Sequence, residues 1–355
     1  MKKILIISTS AAYGGGPFHI SQLLNSLKDR FEFYICCPDE FPYMEIFGKI
    51  VGKEHIFIIP KNTFSINSLI GINSFCIKKG ISILHSHGKG AGIYARFLGL
   101  SGKYKVIHTF HGLHFREYSI LKKNFYLKLE SLLSNFTDKF ISVGESEKKD
   151  AINFFNIKED KIEVIHNGIE VSTVKVFPRD NNKRFKVLWI NRFDSAKNPE
   201  LALNIAEYLK DEDIDFLMAG DGGLLKKIKR SCLKRGLKID FPGYIEQPEI
   251  LMKHAHVLLS TSKWEGLPYS ILTAQSMGLP CVATDVTGNR DIIENGKNGI
   301  LYTESSPEKA AEAIMFLKDN KDKWSQMSEN SIIISTTRFS LKKMIEHTAK
   351  VYLNI

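Results

Sequence analysis

Short apolar runs alternate with longer amphipathic segments along most of the chain, and this alternation restricts the possible folds more than any other feature. Runs rich in branched residues predict strands, and apolar residues at helical spacing predict helices between them. The predicted strands of the first half are Lys3–Ser8, Phe33–Cys37, Ile56–Ile59, Ile81–Leu84, Val106–Thr109, Phe140–Val143 and Ile162–Ile165. Those of the second half are Phe185–Ile190, Phe216–Ala219, Lys238–Phe241, Val257–Ser260 and Cys281–Thr284. This pattern predicts doubly wound parallel sheets, an α/β fold.

The alternation pauses once, in a polar stretch from Glu170 to Arg184. The chain has 355 residues, more than one hydrophobic core usually organises, so two domains are expected. We predict an N-terminal domain of residues 1–170, a C-terminal domain of residues 171–339 and a last helix, 340–355, that packs across the domain junction. Ligands of open parallel sheets bind beyond the carboxyl ends of the strands, so site residues should follow strands.

The formal charge is +10, and the cations are unevenly distributed. No acidic residue lies between Glu54 and Glu117, whereas the same stretch contains Lys61, Lys78, Lys79, Lys89, Arg96, Lys103, Lys105 and Arg116. Such a region fits a solvated face of a basic protein, an anionic membrane surface or a phosphorylated substrate. Nucleic acid fits less well because no stacking aromatic pattern accompanies the cations.

The five cysteines lie at positions 36, 37, 76, 232 and 281, with no CxxC pair and no metal-like spacing. A reducing, cytoplasmic location is therefore expected. The apolar run after the first residues is only about five residues long, too short for a signal peptide. No segment approaches the roughly 20 apolar residues of a membrane span, so any membrane association should be peripheral.

Two groups of residues in the first half are candidates for ligand binding. Gly14, Gly15 and Gly16 precede a helix and suit either a tight turn or close approach of a ligand to the backbone. They do not form the GxGxxG pattern of dinucleotide sites. Four histidines follow the fourth and fifth predicted strands, namely His85, His87, His108 and His111.

These histidines suit structural positions, contacts with a sugar or phosphate, or a metal. No carboxylate or cysteine accompanies them, which argues against a metal site. His111, which is followed by Gly112 beyond a strand end, is the best single candidate for a ligand contact.

In the second half, Arg192 and Lys197 lie five residues apart in a loop after a strand. They are either two solvated cations or a diphosphate site, with arginine as a fork and lysine as a point charge. The loop from Gly220 to Gly223 also follows a strand. The acidic stretch Asp211–Asp215 precedes a strand, so we interpret it as a solvated turn and not as a metal site.

Glu265 stands beside Gly266 at the start of a predicted helix, Leu267 to about Met277. The N–H groups of a helix N-terminus attract anions, so a carboxylate and an anion site are expected side by side. With the cations and glycines, this indicates a nucleoside diphosphate as the ligand. Neither the G-x-S-x-G nor the P-loop pattern is present.

Several motifs, in their order and spacing, resemble the retaining GT-B glycosyltransferases of family 4, of the bacterial surface-polysaccharide type. They are the first glycine loop, HxxHG at 108–112, IHNGI at 165–169, R-x4-K at 192–197, FPGYI at 241–245 and SxxEGLP at 262–268. The resemblance spans roughly residues 1–340. It implies two Rossmann-like doubly wound domains that face a central cleft.

The resemblance also implies roles for individual residues. Arg192 and Lys197 would hold the donor diphosphate, Glu265 would bind hydroxyls of the donor sugar, and His111 would contact the transferred sugar. The other implied donor-binding residues are Gly14, Gly15, Gly16, Asn167, Gly220, Gly243, Ile245, Gly266, Leu267, Pro268 and Thr273.

Thr273 occupies the position where the family usually has a second glutamate, which binds the nucleotide ribose. A threonine offers hydroxyl hydrogen bonds without negative charge, and the loss is expected to cost about 1.5–3 kcal/mol of donor binding. Another departure, Gly288-Asn-Arg-Asp291, is similar to a variant of bacterial surface-polysaccharide enzymes.

The resemblance implies an enzyme that moves a hexose-type sugar, with retention, from a nucleoside diphosphate to a hydroxyl. A UDP-sugar is favoured over a GDP-sugar as donor, and the acceptor would be a lipid-linked or cell-surface glycan of O-antigen or capsule synthesis. No metal or other cofactor and no nucleic acid partner is expected. The location would be cytoplasmic, on the inner membrane surface. The alternatives are a nucleotide-sugar epimerase of GT-B architecture and a non-catalytic partner subunit.

Overall fold

The computed structural model describes residues 1–113, 115, 118–170, 172–176 and 184–355. The chain divides into two compact units, one of residues 1–168 with 342–355 and the other of residues 169–341. This division lies two residues before the predicted domain boundary. About half of the polar stretch that marked the boundary, residue 171 and residues 177–183, lies outside the described residues.

The first unit is a parallel sheet with helices in its connections. Its strands are β1 (Lys3–Ser8), β2 (Glu32–Cys37), β3 (Ile56–Ile58), β4 (Ile83–His87), β5 (Lys105–Thr109), β6 (Lys139–Ser142) and β7 (Ile162–Val164). The helices are α1 (Gly15–Leu27), α2 (Tyr43–Val51), α3 (Ile66–Lys79), α4 (Lys89–Gly99), α5 (Ile120–Leu133) and α6 (Glu145–Phe155). The strand order β3-β2-β1-β4-β5-β6-β7 reverses direction between β1 and β4.

The second unit repeats this architecture. Its strands are β8 (Phe185–Ile190), β9 (Ile214–Ala219), β10 (Ile239–Gly243), β11 (Val257–Ser260), β12 (Cys281–Thr284) and β13 (Gly299–Tyr302). The helices are α7 (Pro199–Tyr208), α8 (Leu225–Lys234), α9 (Glu249–Met252), α10 (Tyr269–Ser276), α11 (Asn289–Ile292), α12 (Pro307–Asp319) and α13 (Lys321–Arg338). All pairs are parallel in the order β10-β9-β8-β11-β12-β13, which reverses direction between β8 and β11.

The last helix, α14 (Leu341–Asn354), supplies residues 342–354 to the first unit. The hydroxyl of Tyr352 lies 2.6 Å from Nδ1 of His85, and its ring packs edge-on against Phe31. Nζ of Lys2 donates to the carbonyl oxygens of Tyr352 and Leu353 at 3.0 Å. These contacts tie the end of the chain to the first unit. The predicted position across the domain junction stays a prediction.

Each unit has its own apolar core beside its sheet. In the second unit Trp189 and Phe193 are fully buried, with their ring centroids 4.8 Å apart. In the first unit β1 contributes four side chains with no exposure, Ile4 to Ile7, because a central parallel strand is covered on both faces. Within the described residues, no helix combines the length and apolar character that crossing a membrane requires.

Several element limits differ from the sequence predictions. β4 continues through His85 and His87, which were predicted to follow it, whereas β5 ends at Thr109 as predicted and contains His108. The error in β4 arose because polar side chains usually end an apolar run, whereas here both ring nitrogens of His85 are hydrogen-bonded inside the sheet. The edge strand β13 was not predicted, since it offers only two aliphatic residues, Ile300 and Leu301.

Two helix starts also differ from the predictions. α10 begins at Tyr269 and not at Leu267, because a residue before a proline is disfavoured in helical conformation. α1 begins at Gly15, so Gly15 and Gly16 belong to its first turn and only Gly14 precedes it.

Candidate active site

In both sheets the candidate residues lie where the strand order changes direction. In the second unit, Arg192 and Lys197 follow β8, and Glu265 follows β11, the two strands between which the order reverses. In the first unit Gly14 follows β1 and His87 ends β4, the corresponding pair of strands. Connections diverge at such a point and leave a crevice at the carboxyl edge, which is where ligands of doubly wound sheets bind.

Lys197 and Glu265 form an ion pair at the carboxyl edge of the second sheet. Nζ of Lys197 donates to Oε1 of Glu265 at 2.5 Å, and the hydroxyl of Ser262 donates to the same oxygen at 2.6 Å. The two charged side chains are 17% and 10% exposed. Burial of an ion pair costs desolvation energy, which is offset only when the geometry is good and further hydrogen bonds are made. Here the hydroxyl of Ser262 donates such a further bond to the carboxylate.

The neighbouring loops fix the position of this pair. Oγ1 of Thr261 donates to the carbonyl oxygen of Lys197 at 2.7 Å and accepts from Nε1 of Trp189 at 2.8 Å. The N–H of Lys263 donates to the carbonyl oxygen of Ala196 at 2.9 Å. The indole of the core therefore holds the two loops together, and the cation and carboxylate are positioned before any ligand binds.

Arg192 lies apart from this pair. Its guanidinium is 62% exposed and forms an ion pair with Asp194 at 2.9 Å. Exposed ion pairs of this kind contribute little to stability, so the guanidinium can change partner at small cost. The sequence placed Arg192 and Lys197 in one loop correctly, but in this structure only Lys197 contacts Glu265.

The N-terminus of α10 follows Glu265 directly. Gly266, Leu267 and Pro268 are buried in the connecting loop, and Pro268 precedes the helix without any side-chain cap. The first N–H groups of a helix have no partner within it, so they are suited to bind an anion. Thr273 lies one turn further along α10 and is half-buried.

Gly288 supports the Glu265 loop from the adjacent β12 connection. Its φ is +87°, and a Cβ there would lie 2.2 Å from the carbonyl oxygen of Gly266. Both the backbone conformation and the close approach require glycine. The motif Gly288-Asn-Arg therefore has a packing function beneath the candidate site.

The loop after β9 packs against the Arg192 loop and bonds the end of β10. A Cβ on Gly220 would lie 1.9 Å from the carbonyl oxygen of Asn191, and the N–H of Gly220 donates to the carbonyl oxygen of Gly243 at 2.7 Å. Gly220 thus has a structural reason to be glycine. Gly243 and Ile245 are each partly exposed, and a Cβ on Gly243 would meet open space.

In the first unit, the glycines at the start of α1 have open space above them. A Cβ on Gly16 would meet no atom within 4 Å, and one on Gly14 would lie 3.8 Å from the nearest atom. Packing within the protein therefore does not explain these glycines. A ligand that approaches this turn would explain them.

His111 lies at the carboxyl end of β5 in a strained turn. Its φ is +63°, which is rare for a residue other than glycine, and φ of Gly112 is +104°. The N–H of Gly112 donates to Oε1 of Glu147 at 2.5 Å, and the N–H of Val143 donates to Oε2 of the same carboxylate at 2.8 Å. Glu147 is fully buried at the start of α6. It holds the turn that presents His111.

Sequence reasoning did not identify Glu147. The available signal was a glutamate at the third position of a helix that follows a strand, a position where a side chain often bonds nearby backbone N–H groups. That pattern indicates a helix start, but it does not indicate that the partner is a turn 35 residues away.

Two further imidazoles contact His111, and an amide is hydrogen-bonded to one of them. Nδ1 of His87 lies 2.9 Å from Nε2 of His111, and the rings of His19 and His111 are in edge contact with centroids 4.8 Å apart. Oδ1 of Asn167 lies 3.0 Å from Nδ1 of His19. Asn167, which was predicted to bind the donor, is therefore buried and positions His19.

Burial favours the neutral form of two members of this cluster, His19 and His87. It lowers the pKa of His19 to about 4, although the hydrogen bond to Asn167 raises it slightly, and it holds the pKa of His87 well below the ordinary value. His85 and His108 lie deeper and bond Tyr352, Thr109 and Ser86. These two histidines have structural positions.

His19, His87 and His111 could together hold a transition metal. Their donor nitrogens lie within 4.8 Å of one another, and neutral imidazoles suit zinc or copper. One shared proton fits the 2.9 Å separation of His87 and His111, but Nε2 of His87 is buried without a hydrogen-bond partner among the described residues. The expectation that no metal binds here stays a prediction.

Two family models together match nearly the whole chain. The model "Glycosyltransferase Family 4" matches residues 13–173, and the model "Glycosyl transferases group 1" matches residues 173–333. The two matches meet near the division between the structural units.

Similar proteins cover the chain from end to end. The O-antigen biosynthesis glycosyltransferase WbnH of Escherichia coli is 28% identical over 100% of this chain and 99% of its own. An Escherichia coli UDP-Gal:α-D-GlcNAc-diphosphoundecaprenol α-1,3-galactosyltransferase is 24% identical over 92% of this chain and 90% of its own. The crystal structure of Anabaena HepE with UDP superposes with a TM-score of 0.85 at 16% identity, covering both chains completely.

Proposed function

Because the chain belongs to the family 4 glycosyltransferases, with the GT-B fold, we propose that it transfers a hexose-type sugar from a nucleoside diphosphate to a glycan hydroxyl. The observation that carries this proposal is the Lys197–Glu265 pair before the uncapped N-terminus of α10. It places a cation, a carboxylate and the positive end of a helix dipole at one sheet edge, and these match a diphosphate and a sugar hydroxyl.

Each group has a defined task in this proposal. Lys197 and the N-terminus of α10 bind the diphosphate, and Arg192 leaves Asp194 to join them. Both hydrogen bonds to Glu265 end on Oε1, so Oε2 is available to a sugar hydroxyl. The cations stabilise the negative charge that grows on the leaving diphosphate. They replace a metal, so the transfer is independent of divalent cations.

The transfer proceeds with retention by front-face attack. The bond between the anomeric carbon and the diphosphate oxygen breaks, and the acceptor oxygen bonds that carbon on the same face. The acceptor proton passes to an oxygen of the departing diphosphate, which acts as the base. His111 contacts the transferred sugar and is held by His87.

UDP-sugars are the favoured donors, followed by GDP-sugars, and the acceptor is a lipid-linked or cell-surface glycan of O-antigen or capsule synthesis. The names of the relatives support this choice, since one uses UDP-Gal and an undecaprenol-linked acceptor. The basic first unit supports peripheral association with the anionic cytoplasmic face of the inner membrane.

The first test is a thermal-shift screen of the purified protein with UDP, GDP, ADP and their common sugars. We expect UDP to raise the melting temperature by several degrees, and Lys197→Met to abolish the shift while the protein remains folded. A matched exposed substitution, Lys227→Met on α8, should keep it. No shift with any nucleotide at millimolar concentration would contradict the proposal and favour a non-catalytic partner subunit.

Turnover distinguishes the remaining alternatives. Transfer of labelled sugar to a lipid-linked acceptor should continue in excess chelator, and strict Mg²⁺ dependence would refute the metal-independent mechanism. Conversion of the nucleotide sugar without an acceptor would instead identify an epimerase.

A further inference from the structure

The outward face of α5 is apolar, although the other face of this helix already packs on the first unit. Leu121, Phe125 and Leu132 are 84%, 69% and 60% exposed, and Ile120 is 78% exposed. Leu121, Phe125, Lys128 and Leu132 are spaced i, i+4, i+7 and i+11, so they form one stripe along the helix. Surface helices normally place polar residues there.

The inward face of α5 contains the only acidic residue of the helix. Nη1 of Arg96 on α4 donates to Oε2 of Glu130 at 2.5 Å, and both side chains are almost completely buried. Tyr126 and Leu133 are buried on the same side. The helix therefore directs its carboxylate into the protein and Leu121, Phe125 and Leu132 to solvent.

α3, two helices earlier in the chain, also exposes an apolar stripe. Ile66, Ile70 and Ile77 are 66%, 60% and 61% exposed and lie on one side of the helix. The connections from β3 to β4, β4 to β5 and β5 to β6 run in one direction across the sheet, so right-handed crossovers place α3, α4 and α5 on the same face. Phe64 and Phe97 are in ring contact between α3 and α4.

Cations predominate in this helix layer. From residue 56 to residue 133 the sequence contains two acids, Glu117 and the buried Glu130. Exposed lysines flank the apolar stripes, including Lys78 on α3 and Lys122 and Lys128 on α5. Apolar side chains among lysines complement a bilayer whose surface is anionic.

We propose that the α3–α5 face docks on an anionic lipid surface, with the α5 stripe inserted into the bilayer interface and the lysines at the headgroups. The inference rests on the proposed membrane association and adds which face binds and how. Binding then includes an apolar component that salt does not screen, in addition to the salt-sensitive attraction of the lysines.

The test compares the full-length protein with a triple variant, Leu121→Ser, Phe125→Ser and Leu132→Ser, in sedimentation with vesicles. The vesicles contain phosphatidylglycerol and phosphatidylethanolamine, and pure phosphatidylcholine vesicles serve as the neutral reference. We expect the variant to bind anionic vesicles about tenfold or more weakly. The matched control replaces three exposed apolar residues of the second unit, Leu233, Ile250 and Ile333, by serine and should bind like the wild type.

A spectroscopic variant reports insertion directly. Phe125→Trp should show a blue-shifted emission with anionic vesicles, whereas Leu233→Trp should not. Because all replaced side chains are exposed, far-UV circular dichroism and the melting temperature should remain those of the wild type.

The outcomes separate this inference from the proposed function. If the wild type binds vesicles and the triple variant binds equally well, another face docks and the inference is wrong. If the wild type binds no vesicles although UDP still shifts its melting temperature, both the docking face and the membrane association are refuted, but sugar transfer is not. A dimer that the triple variant dissociates, without vesicle binding, would assign the stripe to a second copy of the chain.

Discussion

At the scale of single residues, Lys197 and Glu265 show how a site forms from distant positions. They are 68 residues apart in sequence and share a 2.5 Å hydrogen bond. The sequence indicated each one separately, because each follows a strand and precedes a helix. It could not indicate that the ammonium of one contacts the carboxylate of the other, since that depends on β8 and β11 being neighbours.

The histidines divide into two classes that the sequence could not separate. His85 and His108 are buried in strands and bond neighbouring side chains, whereas His87 and His111 meet at the carboxyl edge. Residue type and spacing are the same in both classes. His85 and His87 lie on the same face of β4, so depth along the strand separates them, whereas His108 lies on the opposite face of the sheet.

Thr273 provides a test at this scale. If the absence of the family's second glutamate weakens donor binding, Thr273→Glu should restore the ribose contact and strengthen that binding. A carboxylate accepts charge-assisted hydrogen bonds from two hydroxyls. We expect UDP to bind about tenfold to a hundredfold more tightly, measured by isothermal titration calorimetry. Thr273→Gln, which has the same length without the charge, is the control. Unchanged affinity in both variants would mean that the ribose lies elsewhere.

At the scale of elements, glycines determine how closely the loops of the second unit approach one another. Gly288 and Gly220 each lie against a backbone carbonyl of an adjacent loop, which no other residue would permit. Gly16 and Gly243 have open surroundings. The sequence shows glycines after strands in all four places. Only the structure separates packing glycines from those that leave space for a ligand.

Two glycines in the connection from β12 to β13 allow this difference to be measured. Gly288 and Gly296 both have positive φ, +87° and +79°, but a Cβ meets Gly266 at 2.2 Å in the first case and open space in the second. Gly296→Ala should cost about 1 kcal/mol of unfolding free energy through backbone strain. Gly288→Ala should cost clearly more and weaken UDP binding, because it displaces the Glu265 loop. Denaturant unfolding and calorimetry measure both effects, and equal costs would contradict this assignment.

At the scale of the whole molecule, the buried histidines connect stability to pH. Burial lowers the pKa of His19 to about 4 and of His85 to about 3, and those of His87 and His108 are also lowered. In the unfolded chain these side chains have the ordinary value of about 6.5, so between these limits the unfolded state binds more protons. Stability therefore rises with pH in this range.

We expect the unfolding free energy to reach its full value above about pH 6.5 and to fall as the pH decreases from 6.5 toward 4. Urea unfolding at pH 7.5 and pH 5.0 measures this difference. His85→Gln should reduce the pH dependence of the unfolding free energy, because it removes one buried imidazole whose protonation destabilises the folded state. His347→Gln, on the exposed side of α14, should leave the pH dependence unchanged. Equal stability of the wild type at both pH values would contradict the prediction.

The sequence by itself determined the strand and helix alternation, the two parallel sheets and the family, because these depend on local periodicity and short motifs. It also located most candidate residues, since ligand-binding residues of such sheets follow strands. Tertiary structure decided which of them meet. The Lys197–Glu265 pair, the support of His111 by Glu147 and the outward apolar stripe of α5 all depend on which strands and helices lie side by side. Long-range contacts of this kind leave no periodic signal in the sequence.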